Sequence, residues 1–161
     1  MSQNFDAFVA NAKSLSGLTP ELESCLQEIA PRIVPQLVKV TDAFYVRLIT
    51  LPITSIFLEK HGVSINALKE THTRWLNSLF TQAINDEFAQ NMAKVGDVHA
   101  AIQLPLSFMA GAMSLINKEL ISIIVTEFGT DSSQCTKALQ AVSAVTGFAL
   151  IIMQQSYQLW E

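Results

Sequence analysis

From Ile33 to Thr50 the apolar positions Ile33, Leu37, Val40, Phe44 and Leu48 recur at steps of three and four, the period of a helix with one buried face. The same period returns along most of the chain. Phe5, Phe8, Val9 and Ala12 share a face over residues 3–15, a first helix that Ser16-Gly17 breaks. Thr19 is a good N-cap, with Pro20 at the first helical position and Glu21 and Glu23 favourable for the helix dipole. That helix is predicted to run to about Ala30, and Pro31 either kinks it or opens the next. Leu51-Pro52 ends the 33–50 helix, and 53–60 reads as a short helical connector closed by His61-Gly62. Ser64 caps a helix to about Ala83, on which Ile65, Leu68, His72, Trp75, Leu76 and Leu79 fall along one broad face. Asn85-Asp86 punctuates, and 87–101 is a further helix carrying Met92, Val95 and His99. Pro105 opens a long helix to about Phe128. After the turn Gly129-Thr130-Asp131, either Asp131 or Ser132 caps a last helix that runs to the chain end.

Seven or eight helices, no credible strand and no internal repeat predict an all-α fold. Short helices alternate with long ones, which favours a globin-like arrangement over a simple four-helix bundle. Within the last helix, Ala138 to Met153 (ALQAVSAVTGFALIIM) is apolar nearly all round, with small residues Ala141, Ala144, Gly147 and Ala149. Such a helix must bury two faces. The expectation is that the last two helices form a homodimer interface, in preference to deep burial inside one chain.

Composition adds a second demand for cover. The 161 residues make one domain, half of them apolar and only 15% charged, with mean hydropathy +0.32. A bound hydrophobic ligand or a partner subunit would absorb the excess apolar surface, and both are expected. The net charge is −4 and no basic patch is present, so nucleic acid is not an expected partner. Cys25 and Cys135 lie in no CxxC or CxxCH arrangement, which argues against a cysteine metal cluster or covalent haem attachment. They read as small core or surface residues in a reducing compartment. MSQNFDAF is not a signal peptide. The 138–153 stretch is interrupted by Gln140, Ser143 and Thr146 and is shorter than the ~18–20 residues of a span, so a cytoplasmic protein without a membrane partner is expected. Motifs for nucleophilic catalysis or a phosphate-binding loop are absent, so this chain is not expected to be an enzyme.

The candidate chemistry lies between Leu68 and Met113. At its centre is VGDVHAAIQLP, with His99 in an otherwise apolar helical segment, Gly96 three residues before it and Pro105 six after. By residue type and place, His99 is either a packed core imidazole or a metal ligand.

Two segments carry a family resemblance. HTRWLNSLF (72–80) and VGDVHAAIQLP (95–105) are similar to the H-x-x-W-L-x-x-L-F and I-G-x-x-H-x-x-I-x-L-P patterns of the sensor globins, the haem domains of globin-coupled sensors. The resemblance spans roughly residues 20–160. It implies haem b, with His99 as the proximal iron ligand and Tyr45, beside Phe44, as a distal donor of a hydrogen bond to bound O2 in preference to CO. The other ring N–H of His99 would go to Asp97 or to a backbone carbonyl. The resemblance further implies that Leu68 controls water access and that Thr71 adds a second hydrogen bond, with ordinary helix packing open for both. His72 is a competing iron ligand or a structural hydrogen-bonding residue, and His61 a helix-end residue. Phe44, Phe57, Phe80, Val95 and Phe108, with Met92 and Met109, could line the macrocycle or be plain core. This chain has Gln103 where the family pattern usually has Gly, and only Phe108 of an aromatic pair after Pro105.

The implied function is an O2 sensor domain, also open to CO and NO, that signals through a homodimer. Its output module, such as a diguanylate cyclase or a histidine kinase, would follow residue 161, where Trp160-Glu161 ends the last helix without a C-cap. A single-domain globin for O2 binding or gas detoxification and a haem-free regulatory module are the alternatives.

Overall fold

The computed structural model describes residues 2–158, so the chain end at Trp160-Glu161 lies outside the described residues. Eight α-helices and no strand are found among them: α1 (Ser2–Ser16), α2 (Pro20–Ile33), α3 (Leu37–Thr50), α4 (Pro52–Lys60), α5 (Ile65–Thr81), α6 (Asp86–Ala101), α7 (Leu106–Phe128) and α8 (Ser133–Gln158). The caps that set these starts are visible in the sequence. Thr19 accepts from the Leu22 amide, Ser64 from Ala67, Asn85 from Phe88 and Ser132 from Cys135, each satisfying an amide the helix leaves unpaired. Of the two candidates for the last cap, Ser132 takes the role.

The second and third helices differ from expectation. Pro31 sits inside α2, its ring exposed, and the helix continues through it to Ile33. The break comes at Pro35, in a 3-10 turn over Val34–Gln36, so α3 begins at Leu37 instead of Ile33. A proline near a helix end displaces a bond toward water at small cost, whereas a second one four residues later removes the next bond on the same face.

α8 is the axis of the fold. It packs against α1, α2, α6 and α7, while α5 lies over α2 and α3, and α4 leans on α3. Ala138, Ala141, Val142, Ala144, Val145, Phe148, Ala149, Ile152 and Met153 are all buried by these neighbours within one chain. The two-faced burial expected of α8 is therefore met inside the monomer, by four helices of its own chain, and does not by itself call for a second copy. A shallow groove between α7 and α8, lined by Asn117, Ile121, Leu139, Gln140 and Ser143, remains open to solvent. Thr146, fully buried on α8, finds acceptors for its hydroxyl proton in the Val142 carbonyl at 2.8 Å and in Asn117 Oδ1 of α7 at 3.0 Å.

By length and apolarity α7 and α8 could each cross a bilayer, contrary to the sequence expectation, because the helices extend to 23 and 26 residues, beyond the 138–153 stretch. Much of α8's apolar surface is spent on the domain's own core. Cys25 and Cys135 are both free and buried. Lys13 donates to Glu23 and to the Ile84 carbonyl (2.7 Å), anchoring α1 to α2 and to the α5–α6 turn.

Candidate functional site

On α3 the helical period places Thr41, Phe44, Tyr45 and Leu48 on one side. On α5 it places Leu68, His72, Trp75, Leu76 and Leu79 together. Where α3 and α5 pack, Phe44 stacks on the His72 ring (centroids 4.7 Å apart, planes within 10°), and Tyr45 meets both edge-on, at 5.2 and 5.8 Å. Tyr45 and Phe44 are buried. Burial pushes the Tyr45 phenol up to about 12, because the anion would lose its water, so the hydroxyl keeps its proton over the physiological range. The Tyr157 hydroxyl donates to the Leu104 carbonyl, but that of Tyr45 takes no partner among the described residues.

His72 is held by its other edge. Its Nδ1 lies 3.0 Å from the hydroxyl of Thr41, a side chain buried to 1%, and the Thr73 hydroxyl donates to that same Thr41 oxygen at 2.8 Å. Burial pushes His72 down to about 4, so the ring is neutral. Its Nε2 is buried without a partner.

Met92, Val95 and His99 follow one another along one face of α6, three and four residues apart. His99 Nδ1 is 2.6 Å from the Val95 carbonyl oxygen. A carbonyl can only accept, so Nδ1 carries the ring proton and Nε2 presents a free lone pair. The backbone, not the exposed Asp97, is thus the orienting partner. The buried Met92 receives the indole N–H of Trp75 on its sulfur at 3.0 Å, which links α5 to α6. Phe57 on α4 and Phe108 on α7 meet edge-on at 6.1 Å, and His61, exposed at the end of α4, stacks on Phe57.

The structure therefore brings Phe44, Tyr45 and His72 into one cluster and ties the His99 ring to the Val95 carbonyl of its own helix. Leu68 is half-buried against the core. Thr71 is exposed, and its hydroxyl donates to the Ala67 carbonyl of its own helix, so it is not in the Tyr45 cluster. Phe80 is fully buried core. Sequence reasoning missed Thr41 and Thr73, because a contact across 31 residues leaves no local pattern. It also missed what Gly96 does. A Cβ at Gly96 would stand 2.5 Å from the Met153 carbonyl oxygen, so only glycine lets α6 lie this close to α8. Ser156 donates to the Ala93 carbonyl in the same contact. Gln103 adopts φ 58°, the left-handed conformation that the glycine of the family pattern would take without strain.

Among the described residues no group of three or more His, Cys, Asp or Glu is placed to hold a metal ion. A single oriented imidazole fits a metal that brings its remaining ligands with it, as an iron macrocycle does. Comparison with known proteins bears on the fold. The globin domain of the Geobacter sulfurreducens globin-coupled sensor is similar in structure, with TM-score 0.83 and 28% identity over 92% of this chain and 97% of that one. The globin domain of E. coli DosC, in ferric and ferrous forms, shares the fold at TM-score 0.72 and 21% identity over 92% of this chain and 99% of that one. The Protoglobin family model matches residues 6–159, and the chain belongs to that family.

Proposed function

We propose that this domain is a haem-based gas sensor, holding haem b through His99, taking O2 on the side of Tyr45, and passing its ligation state through α8 to a homodimer and an output module. The observation that carries the proposal is the 2.6 Å bond from His99 Nδ1 to the Val95 carbonyl, which places the ring proton on Nδ1 and leaves the Nε2 lone pair available to a metal. Haem, when bound, supplies an iron with an axial position for a diatomic gas. The Tyr45 phenol holds its proton on Oη and offers it as a donor, a contact worth more to O2, which accumulates negative charge, than to CO; NO is a further candidate ligand. Phe44, Met92, Val95 and Phe108 supply apolar surface, and half-buried Leu68 limits water. Ile53, Ile56 and Val98, on the helices that carry Phe57 and His99, stay 64, 64 and 62% exposed, apolar surface suited to a hydrophobic cofactor.

Support for transmission comes from α8, which grips the His99 helix on both sides. Gly96 and the Ala93 carbonyl rest on Met153 and Ser156 before His99, and Tyr157 holds the Leu104 carbonyl after it. A shift of His99 along or across α6 is thus delivered to α8 through packed backbone. The α7–α8 groove at Ile121 and Leu139 is the surface proposed to meet the second copy, and a cytoplasmic location fits this role. The output module would be a separate activity such as a diguanylate cyclase or a histidine kinase, with no catalysis in this domain.

The visible spectrum of the purified protein, reduced and then exposed to air, tests the reading against His99→Ala. A Soret band that shifts reversibly with O2 and is lost or strongly altered in the variant is expected. A colourless protein that takes up no added haem overturns it. A second reading, with His72 as the opposite axial ligand, is favoured by its buried and unpartnered Nε2, and a reduced spectrum already six-coordinate would select it.

A further inference from the structure

Three hydroxyl and imidazole groups from two helices form a directed chain that ends at the unpartnered nitrogen of His72. Thr73 on α5 donates to the Thr41 oxygen on α3. The Thr41 hydroxyl has one proton, and the remaining polar atom within bonding distance of it among the described residues is His72 Nδ1. With its oxygen already accepting from Thr73, Thr41 donates to Nδ1. A nitrogen that accepts carries no proton, and a neutral imidazole carries one in all, so it resides on Nε2. This is the opposite tautomer to that of His99, whose Nδ1 faces a carbonyl and is therefore protonated. The two histidines differ in the partner at Nδ1: an obligate acceptor for one, a hydroxyl used as donor for the other.

We infer that the Thr73–Thr41 relay makes Thr41 a specificity-determining positioning residue, locking His72 as an Nε2–H donor beside Tyr45 and thereby preventing it from ligating iron. This rests on the haem-binding reading above. An Nε2 that bears a proton has no lone pair for a metal, yet it can donate a hydrogen bond. The unpartnered Nε2 then has a physical reason: a buried N–H without an acceptor costs stability, and it persists here because a gas ligand next to Tyr45 would complete it. Stacking on Phe44 with planes within 10° fixes the ring's orientation, so the tautomer is the remaining degree of freedom. Two donors, Tyr45 Oη–H and His72 Nε2–H, would then serve one ligand, and Thr41 decides that there are two.

The test compares wild type, Thr41→Val and Thr41→Ser as whole chains, with and without haem. Valine keeps the shape and removes the hydroxyl, whereas serine keeps the hydroxyl. Histidine long-range proton–nitrogen correlation spectra of the haem-free proteins read the His72 tautomer directly, and reduced visible spectra read the coordination number. Wild type and Thr41→Ser are expected to show the Nε2–H tautomer and a five-coordinate reduced spectrum. Thr41→Val is expected to lose that tautomer preference and to raise the six-coordinate fraction about tenfold, the effect of roughly one hydrogen bond. The six-coordinate fraction should vanish again in Thr41→Val combined with His72→Leu. A wild type with the Nδ1–H tautomer, or one already six-coordinate through His72, overturns the inference, as does a Thr41→Val protein that keeps the wild-type tautomer and spectrum. A protein that binds no haem fails the functional reading instead, and the tautomer measurement still decides the relay.

Discussion

Gly96→Ala puts a methyl group where the backbone of α8 already lies. The new Cβ would stand 2.5 Å from the Met153 carbonyl oxygen, 2.8 Å from Met153 Cα and 2.9 Å from Ser156 Oγ. Carbon–oxygen contacts of this kind settle near 3.3–3.6 Å, so α6 and α8 must separate by roughly 0.8 Å or more at this point. Met153 is on a helix held by α1, α2 and α7 as well, which leaves α6 to move. Two opposed terms decide the outcome. Alanine in a helix gains about 1 kcal/mol over glycine, and overpacking a tight contact costs about 1–3 kcal/mol. Gly111→Ala separates them, because Gly111 is also helical, on α7, and has nothing within 4 Å of an added Cβ. Both variants share the propensity gain, so the difference between them isolates the clash. Thermal unfolding followed by circular dichroism should show Gly111→Ala melting about 2–4 °C above wild type and Gly96→Ala about 2–12 °C below Gly111→Ala, at about 2–4 °C per kcal/mol for a domain of this size. His99 is three residues along α6, so the reduced Soret band of Gly96→Ala should shift too. A Gly96→Ala protein as stabilised as Gly111→Ala would refute the close approach, and with it the route proposed from α6 to α8.

Substitutions at two further positions probe the site and its margin. Tyr45→Phe removes the distal phenol while keeping the ring against Phe44 and His72; O2 dissociation measured by stopped flow should accelerate by about 10- to 100-fold, as for loss of a hydrogen bond to a charged group, with CO dissociation little changed. Gln103→Gly relieves the left-handed φ of 58° and should raise stability by about 1 kcal/mol in denaturant unfolding, whereas Gln103→Val, β-branched in the same conformation, should lower it.

Much of the secondary structure was legible because its causes are local. Thr19, Ser64 and Asn85 act on amides three residues away, so the starts of α2, α5 and α6 follow from the sequence around them. The start of α3 was misjudged because two prolines four residues apart compete: α2 runs through Pro31 to Ile33, and the break comes at Pro35. Thr71 and His72 are neighbours in sequence, yet one turns to water and the other into the Tyr45 cluster. A family pattern places both near a ligand, and only the packing of α5 on α3 separates them.

Alone, the sequence determined an all-α chain and the helix that carries His99, since periodicity and caps act over one or two turns. It determined also that α8 must bury two faces, but not what covers them: hydropathy records that a surface leaves water, not which surface replaces it. Tertiary structure answered with α1, α2, α6 and α7 of the same chain. It likewise decided the states of the two histidines. A tautomer is set by the atom opposite Nδ1, and for His99 that atom is four residues away on its own helix, whereas for His72 it is the hydroxyl of Thr41, on a helix that only folding brings alongside.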